Sequence, residues 1–263
     1  MKRRHVIAHL GAALACSQRA TLAAVLPPAP SKREMASHLD LREARIVKEA
    51  FLAAQASLPN DRHDATDLHL SQYSSADLDA LKYLGQLNSG FTYLGFETIS
   101  PGMAEVISQW NAYFLLFNRL RNLSRESAVY LGRADAGHAL VFDLPIELDV
   151  PTARAIACNG SPLSLEFKVE PDLRIAQALA THQHEMFLTL PGELVSPSLA
   201  RALSRHAGYL LQIQMDSRPT GPVLEAFSSN LGKKVTVNFQ DGKSGARGGT
   251  VAIVDDGFYY GGF

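Results

Sequence analysis

Three short stretches of this chain carry residue types that could do chemistry. His182-x-His184-Glu185 offers two imidazoles and a carboxylate in close succession, the donor types of a divalent metal site. No Cys or Asp cluster lies near it to complete a ligand set, and it falls in the return after a predicted helix, so a solvated turn is expected. Gly242-Lys243-Ser244 has the form of the end of a phosphate loop, but the Gly required five residues earlier is Val237. Asp255-Asp256 reads as a turn rather than an acid pair, and Asn159-Gly160-Ser161 reads as a turn that is only formally a glycosylation sequon. The chain contains neither G-x-S-x-G nor H-E-x-x-H. The expectation is a protein that is not an enzyme and holds no cofactor and no metal.

Composition narrows the partners. Of 263 residues, 46% are hydrophobic and 19% charged, enough apolar material for a sizeable core and too much for a disordered chain. A net charge of −1 gives no basic excess for nucleic acid or an anionic membrane surface. Cys16 and Cys158 cannot form a disulfide framework, and Cys158, after Ala155-Ile156-Ala157, is expected to be a small buried hydrophobe. Lys2-Arg3-Arg4-His5 precedes an apolar run from Val6 to Ala15, the layout of a secretory signal, but His9 and Arg19 interrupt that pattern. Export to the periplasm or medium and residence in the cytoplasm both stay open. No clean apolar stretch reaches the length of a membrane span, so none is expected.

The elements that would position any site follow a repeat. Two apolar residues separated by one position occur as Leu68/Leu70, Phe91/Tyr93, Leu115/Phe117, Leu140/Phe142, Leu165/Phe167, Leu188/Leu190, Leu211/Ile213 and Val235/Val237. Their intervals are 23, 24, 25, 25, 23, 23 and 24 residues, and alternation of this kind marks a short half-buried strand. After most pairs comes a helix-start residue: Asp77, Ser100, Ser124, Asp149, Ser196 and Thr220. Proline follows closely at Pro101, Pro151, Pro197 and Pro222, in the first turn, where a missing N–H is tolerated. The positions four and seven beyond each cap are apolar and share a helical face, as in Ala104/Ile107 and Ala200/Leu203. The fifth repeat fits worst: Arg174 stands at its cap and Ala178/Thr181 at its apolar pair, with Pro171-Asp172 as the alternative cap.

Each unit is thus a strand, a turn, a capped helix and a return, too small to bury its own apolar face, so stacked units must share a core. Four regions are expected: 1–30, a possible targeting segment ending in the stiff Leu26-Pro27-Pro28-Ala29-Pro30 linker; 31–62, a capping helix over Glu34 to Leu58; 63–240, the repeats; and 241–263, a Gly-rich loop and closing strands. That last region reads as a cap over the final strand edge, with an aromatic docking tail as the alternative.

From Phe91 to Ile107 and from Leu115 to Leu131 the pattern resembles bacterial leucine-rich repeats of a short variant, roughly L-x-L-x-x-L-x-x-L-S-P-x-x-A-x-x-L. The resemblance covers about residues 67 to 240 and implies an α/β solenoid of about seven units with a parallel sheet on its concave face. The family's buried Asn ladder has no counterpart. Its positions are Tyr73, Phe96, Leu120, Pro145, Glu170, Glu193 and Asp216, and the three acidic ones suggest a looser, more exposed turn.

Within each apolar pair the flanked residue should face away from the core. That row is His69, Thr92, Leu116, Val141, Glu166, Thr189, Gln212 and Thr236, and the next is Ser71, Leu94, Asn118, Asp143, Lys168, Pro191, Gln214 and Asn238. Leu94, Leu116 and Val141 form an apolar centre, with Glu166, Lys168, Gln212 and Gln214 as a polar margin, which is the anatomy of a protein interface. The expected function is non-catalytic binding of another protein through His69, Thr92, Leu94, Leu116, Asn118, Val141, Asp143, Glu166, Lys168, Gln212 and Gln214. The alternative is a structural module of an envelope or secreted complex that leaves this face unused.

Overall fold

The computed structural model describes residues 38–58, 66–133, 139–191, 195–229, 234–239, 249–254 and 257–262. The targeting segment with Cys16, the proline linker, the helix start at Glu34, Glu193, Gly242-Lys243-Ser244 and Asp255-Asp256 lie outside them.

Chain order gives β1 (His38–Leu39), α1 (Leu41–Ala56), β2 (Leu68–Leu70), β3 (Ser75–Ala76), α2 (Leu78–Leu84), β4 (Asn88–Leu94), α3 (Pro101–Ser108), β5 (Asn111–Phe117) and α4 (Arg125–Gly132). There follow β6 (Ala139–Phe142), α5 (Val150–Ile156), β7 (Leu163–Glu166), α6 (Leu173–Leu179), β8 (Met186–Leu190), α7 (Pro197–Ser204), β9 (Leu210–Met215), α8 (Gly221–Ser228), β10 (Lys234–Phe239), β11 (Gly249–Val254) and β12 (Gly257–Gly262). Ten strands form one sheet whose order follows the chain from β2 through β4 to β12. Pairing is parallel from β2 to β10; β11 and β12 then add antiparallel. Consecutive helices pack side by side. Because such crossovers share one hand, a sheet laid down in chain order carries all of them on one side. The repeated strand–helix units and the all-parallel sheet are consistent with a leucine-rich-repeat-like solenoid.

The core lies between helices and sheet. Strand pairing aligns Leu68, Thr92, Leu115, Leu140, Leu163, Met186, Leu211 and Val235 as one row, and Leu70, Leu94, Phe117, Phe142, Leu165, Leu188, Ile213 and Val237 as the next. All of these are buried, and each large apolar side chain among them contributes about 1.5–3 kcal/mol. The helical pairs meet them, from Leu81/Leu84 to Leu224/Phe227, and all are buried except Thr181 of the fifth unit.

This register corrects the expected one in two ways. In β4 it is Thr92 and Leu94, each 0% exposed, that face the core, and Phe91 and Tyr93 that face away. Thr92 is tolerated inside because Ser89 Oγ lies 2.6 Å from its hydroxyl and supplies the partner a buried hydroxyl needs. In β7, β8 and β9 the expected pairs keep the right face and Leu165 aligns with Leu188 as expected, but Leu140 pairs with Leu163 rather than Leu165, and Leu188 with Ile213 rather than Leu211.

Caps match in four of the six expected places. Ser100, Ser124, Asp149 and Ser196 accept from the amide three residues on. Asp77 and Thr220 precede α2 and α8 without a side-chain cap bond; Asp77 faces His38 instead. In the fifth unit Asp172 is the cap, accepting from Arg174 N at 2.7 Å, so the buried pair is Ala176/Leu179. The N-terminal helix is shorter than expected. It starts at Leu41 because Asp40 caps it, and His38–Leu39 pairs as a strand with Ser75–Ala76. Its buried side turns Ala44 and Phe51 toward the core, and it packs on α2.

Candidate functional site

The sheet face opposite the helices is the surface to which most of the expected binding residues belong. Residues one position off the core rows line it, because successive strand side chains alternate between faces. Its central row, in register, is His69, Tyr93, Leu116, Val141, Ser164, Phe187, Gln212 and Thr236. To one side, Phe91 pairs with Phe114 and Phe114 with Ala139; to the other, Glu166, Thr189, Gln214 and Asn238 pair in turn.

The N-terminal part of this face is aromatic. The Phe91 and Phe114 rings stack at 4.5 Å between centroids and 10° between planes, His69 and Tyr93 at 4.6 Å and 5°. Phe91 also approaches Tyr93, at 6.3 Å. Leu116 and Val141 continue the strip half-buried, and Phe187 lies buried further along. Phe114, Ala139 and Phe187 are buried yet stand apart from the main core cluster, as expected of a thin apolar layer on the far side of the sheet.

Carboxylates flank the strip. Asp67 accepts from Phe91 N at 3.2 Å, and burial raises its pKa. Asp143 is exposed as a residue, but partial desolvation raises its carboxyl. Glu166, half-buried, is raised by desolvation and then by the charges of Asp143 and Asp216. Tyr93 is raised by burial and further by Asp67 and Asp143, so those two carboxylates act on the aromatic strip itself. Asn118 reaches sideways and donates from Nδ2 to Ser71 Oγ at 3.2 Å. Gly95 lies between their strands in the sequence of turns, and a Cβ there would come within 2.2 Å of Ser71 O, so only glycine lets the chain pass this close.

The expected residues sort plainly. His69, Leu116, Asn118, Val141, Asp143, Glu166, Gln212 and Gln214 are on this face, exposed or half-buried, and Lys168 is exposed just beyond the end of β7. Thr92 and Leu94 are not, being turned into the core. Phe91, Tyr93, Phe114 and Phe187 were not anticipated on it. Spacing could not have found the first two: Thr92/Leu94 fits between Leu68/Leu70 and Leu115/Phe117 as regularly as Phe91/Tyr93 does.

The histidine stretch is not a solvated turn. His182 is 0% and Glu185 2% exposed. His182 Nδ1 lies 3.0 Å from Ala157 O and Nε2 3.3 Å from Glu185 O, and His206 Nε2 lies 2.8 Å from His184 O. Asn159 occupies the equivalent place one unit earlier and donates to Ser161 O at 2.9 Å. In each case the backbone amide of this residue bonds back to the last core position of its helix, Ile156, Leu179 or Leu203. Polar side chains therefore do hold successive returns together, but at the helix-to-strand side of the unit. On the strand-to-helix side Tyr73, Phe96 and Leu120 are buried, and Glu170 accepts from Ser196 N in the next unit at 2.9 Å. The neighbouring Tyr209 donates to Glu185, which with burial pushes its hydroxyl up to about 12. Among the described residues no group of His, Cys, Asp and Glu could hold a metal ion. Cys158 is exposed rather than buried, because Ala157 and Asn159 on either side fill the interior.

No helix among the described residues is long and apolar enough to cross a membrane. Compared with known proteins, the sequence matches no family model and no curated protein.

Proposed function

We propose that this chain is a non-catalytic protein-binding solenoid, akin to the short bacterial leucine-rich repeats, and that it recognises another protein through the open face of its sheet. The observation that carries this reading is the continuous strip of Phe91, Tyr93, Phe114, Leu116 and Val141 on a face that no described helix covers. Aromatic and aliphatic side chains with polar groups at their margin form the usual centre and rim of a protein interface. Rigid strands fix the positions of these side chains, so little conformational freedom is lost when a partner docks.

The test is affinity capture with purified protein, followed by identification of the retained partner and a direct binding measurement. Leu116→Lys should abolish binding and leave the melting temperature unchanged. Glu126→Lys, on an exposed position of α4, makes a charge change on the helical side and should leave binding intact. Loss of binding in the second variant but not in the first would assign recognition to the helices instead.

A further inference from the structure

Phe91, Tyr93, Leu116 and Val141 offer apolar and aromatic area, and three carboxylates, Asp67, Asp143 and Glu166, stand beside them with Asp216 close enough to act on Glu166. Among the described residues neither Asp143 nor Glu166 is in an ion pair. Lys168, the expected basic member of this surface, is exposed and makes no ion pair with either among the described residues. The same face has an acceptor in want of a donor: Asn118 Oδ1 is shielded from solvent and has no hydrogen-bond partner among the described residues. Asp143 and Glu166 have lost part of their hydration without gaining an ion pair, and they repel each other, whereas Asp67 is partly compensated by the Phe91 amide and by His69. A cation placed among them recovers that energy, and its stem can lie along the aromatic strip, where the faces of Phe and Tyr attract positive charge.

We infer that the occupant of the open face is a cationic segment of another protein, one in which Lys or Arg side chains alternate with apolar ones. Alternation matches the surface, since a segment lying across the strands meets apolar groups on the central row and carboxylates beside it. Nucleic acid and anionic lipid carry the wrong charge for this face. The inference rests on the reading of this face as the binding surface, and it adds the chemistry of what binds.

The probe is a fluorescein-labelled synthetic peptide of alternating Arg and Leu, compared by anisotropy with peptides in which Ser or Glu replaces every Arg. The full chain is used throughout, with circular dichroism melts to confirm folding. The Arg–Leu peptide should bind, the Glu–Leu peptide should not, and the Ser–Leu peptide should bind about tenfold more weakly. Asp143→Asn with Glu166→Gln should weaken Arg–Leu binding about tenfold and remove most of its salt dependence. Neutralising two exposed acids of the helical side, Glu105→Gln with Glu126→Gln, should change nothing. Equal binding of the Ser–Leu and Arg–Leu peptides, with both still weakened by Leu116→Ser, would overturn the cationic occupant and leave the face as the binding surface. Equal weakening by the two pairs of acid substitutions would also overturn it, as diffuse attraction to a negative protein. Binding of all three peptides that Leu116→Ser leaves untouched, or binding of none, would overturn the inference and the binding face together.

Discussion

At the scale of single residues, adjacent positions in one strand have opposite fates. Leu115 is 0% exposed in the core and Leu116 is half-buried on the open face. Leu115→Asp places an unpaired charge among apolar side chains and should destabilise by about 3–5 kcal/mol, whereas Leu116→Asp should change stability by about 0.5 kcal/mol or less. Urea denaturation of the two variants checks this, and equal midpoints would contradict the register. Titratable residues give two pH effects of opposite sign. The carboxyls of Asp143 and Glu166 are raised above their ordinary 3.8 and 4.5, so in that region the folded chain holds more protons than the unfolded one. Stability contributed by them therefore falls as pH rises from those values, and at pH 7 Asp143→Asn or Glu166→Gln should raise the melting temperature. His182 is lowered from 6.5, chiefly by burial, so the unfolded chain takes up its proton first. Stability should fall as pH drops below about 6.5, and His182→Asn, copying Asn159 of the preceding unit, should flatten that fall. Which face a residue took was legible wherever large apolar side chains alternated with polar or small ones. It was not legible at Phe91-Thr92-Tyr93, where two aromatic rings flank a hydroxyl. Such a trio reads as aromatic-in, whereas pairing with β2 and β5 turns Thr92 inward, where Ser89 partners its hydroxyl. The same limit hid Phe91 and Tyr93, two of the five residues of the strip.

At the scale of elements, the helices begin where a short oxygen side chain can take a free amide of the first turn. Ser100 and Ser196 make that bond at 3.2 Å to Met103 N and Leu199 N. Their replacement by Ala should each destabilise by about 1 kcal/mol. Thr220 makes no such bond, so Thr220→Ala should be near neutral despite its equivalent position. A loss at Thr220 as large as that at Ser196 would show that residue type, and not the bond, sets the effect. Caps were readable because their chemistry is local. The start of α1 was not, since an apolar stripe continues backward through Leu39, and only long-range pairing of His38–Leu39 with Ser75–Ala76 takes those residues out of the helix.

At the scale of the whole molecule, stability comes from contacts between neighbouring units, so one unit can be removed if the register is kept. Phe91 pairs with Phe114, and deletion of residues 91–113, joining Gly90 to Phe114, removes one strand, one helix and one return. We expect a cooperative melt with retained helical signal. Removing one residue more, 91–114, shifts the new strand by a position and turns its apolar side chains to the wrong face. That variant should melt lower or aggregate, as should one lacking only 91–102. Equal loss of folding in all three would contradict a modular core. The number and spacing of units were plain in the sequence because the apolar pair recurs at intervals of 23 to 25 residues, most often with a cap residue after it. The one-residue phase of a single unit was not, because a 23-residue step followed by 24 and a 24-residue step followed by 23 span the same length.

The reversal of strand direction at β11 also bears on how such a chain can change over generations. A duplicated unit placed anywhere between β4 and β10 meets neighbours that run the same way on both sides. One appended after β12 would follow a strand that again runs the way of β10, but two strands without helices would separate its helix from α8. Only units between β4 and β10 find helical neighbours on both sides. Homologous chains of different length should differ by multiples of about 24 residues between β4 and β10 and keep the β11–β12 pair.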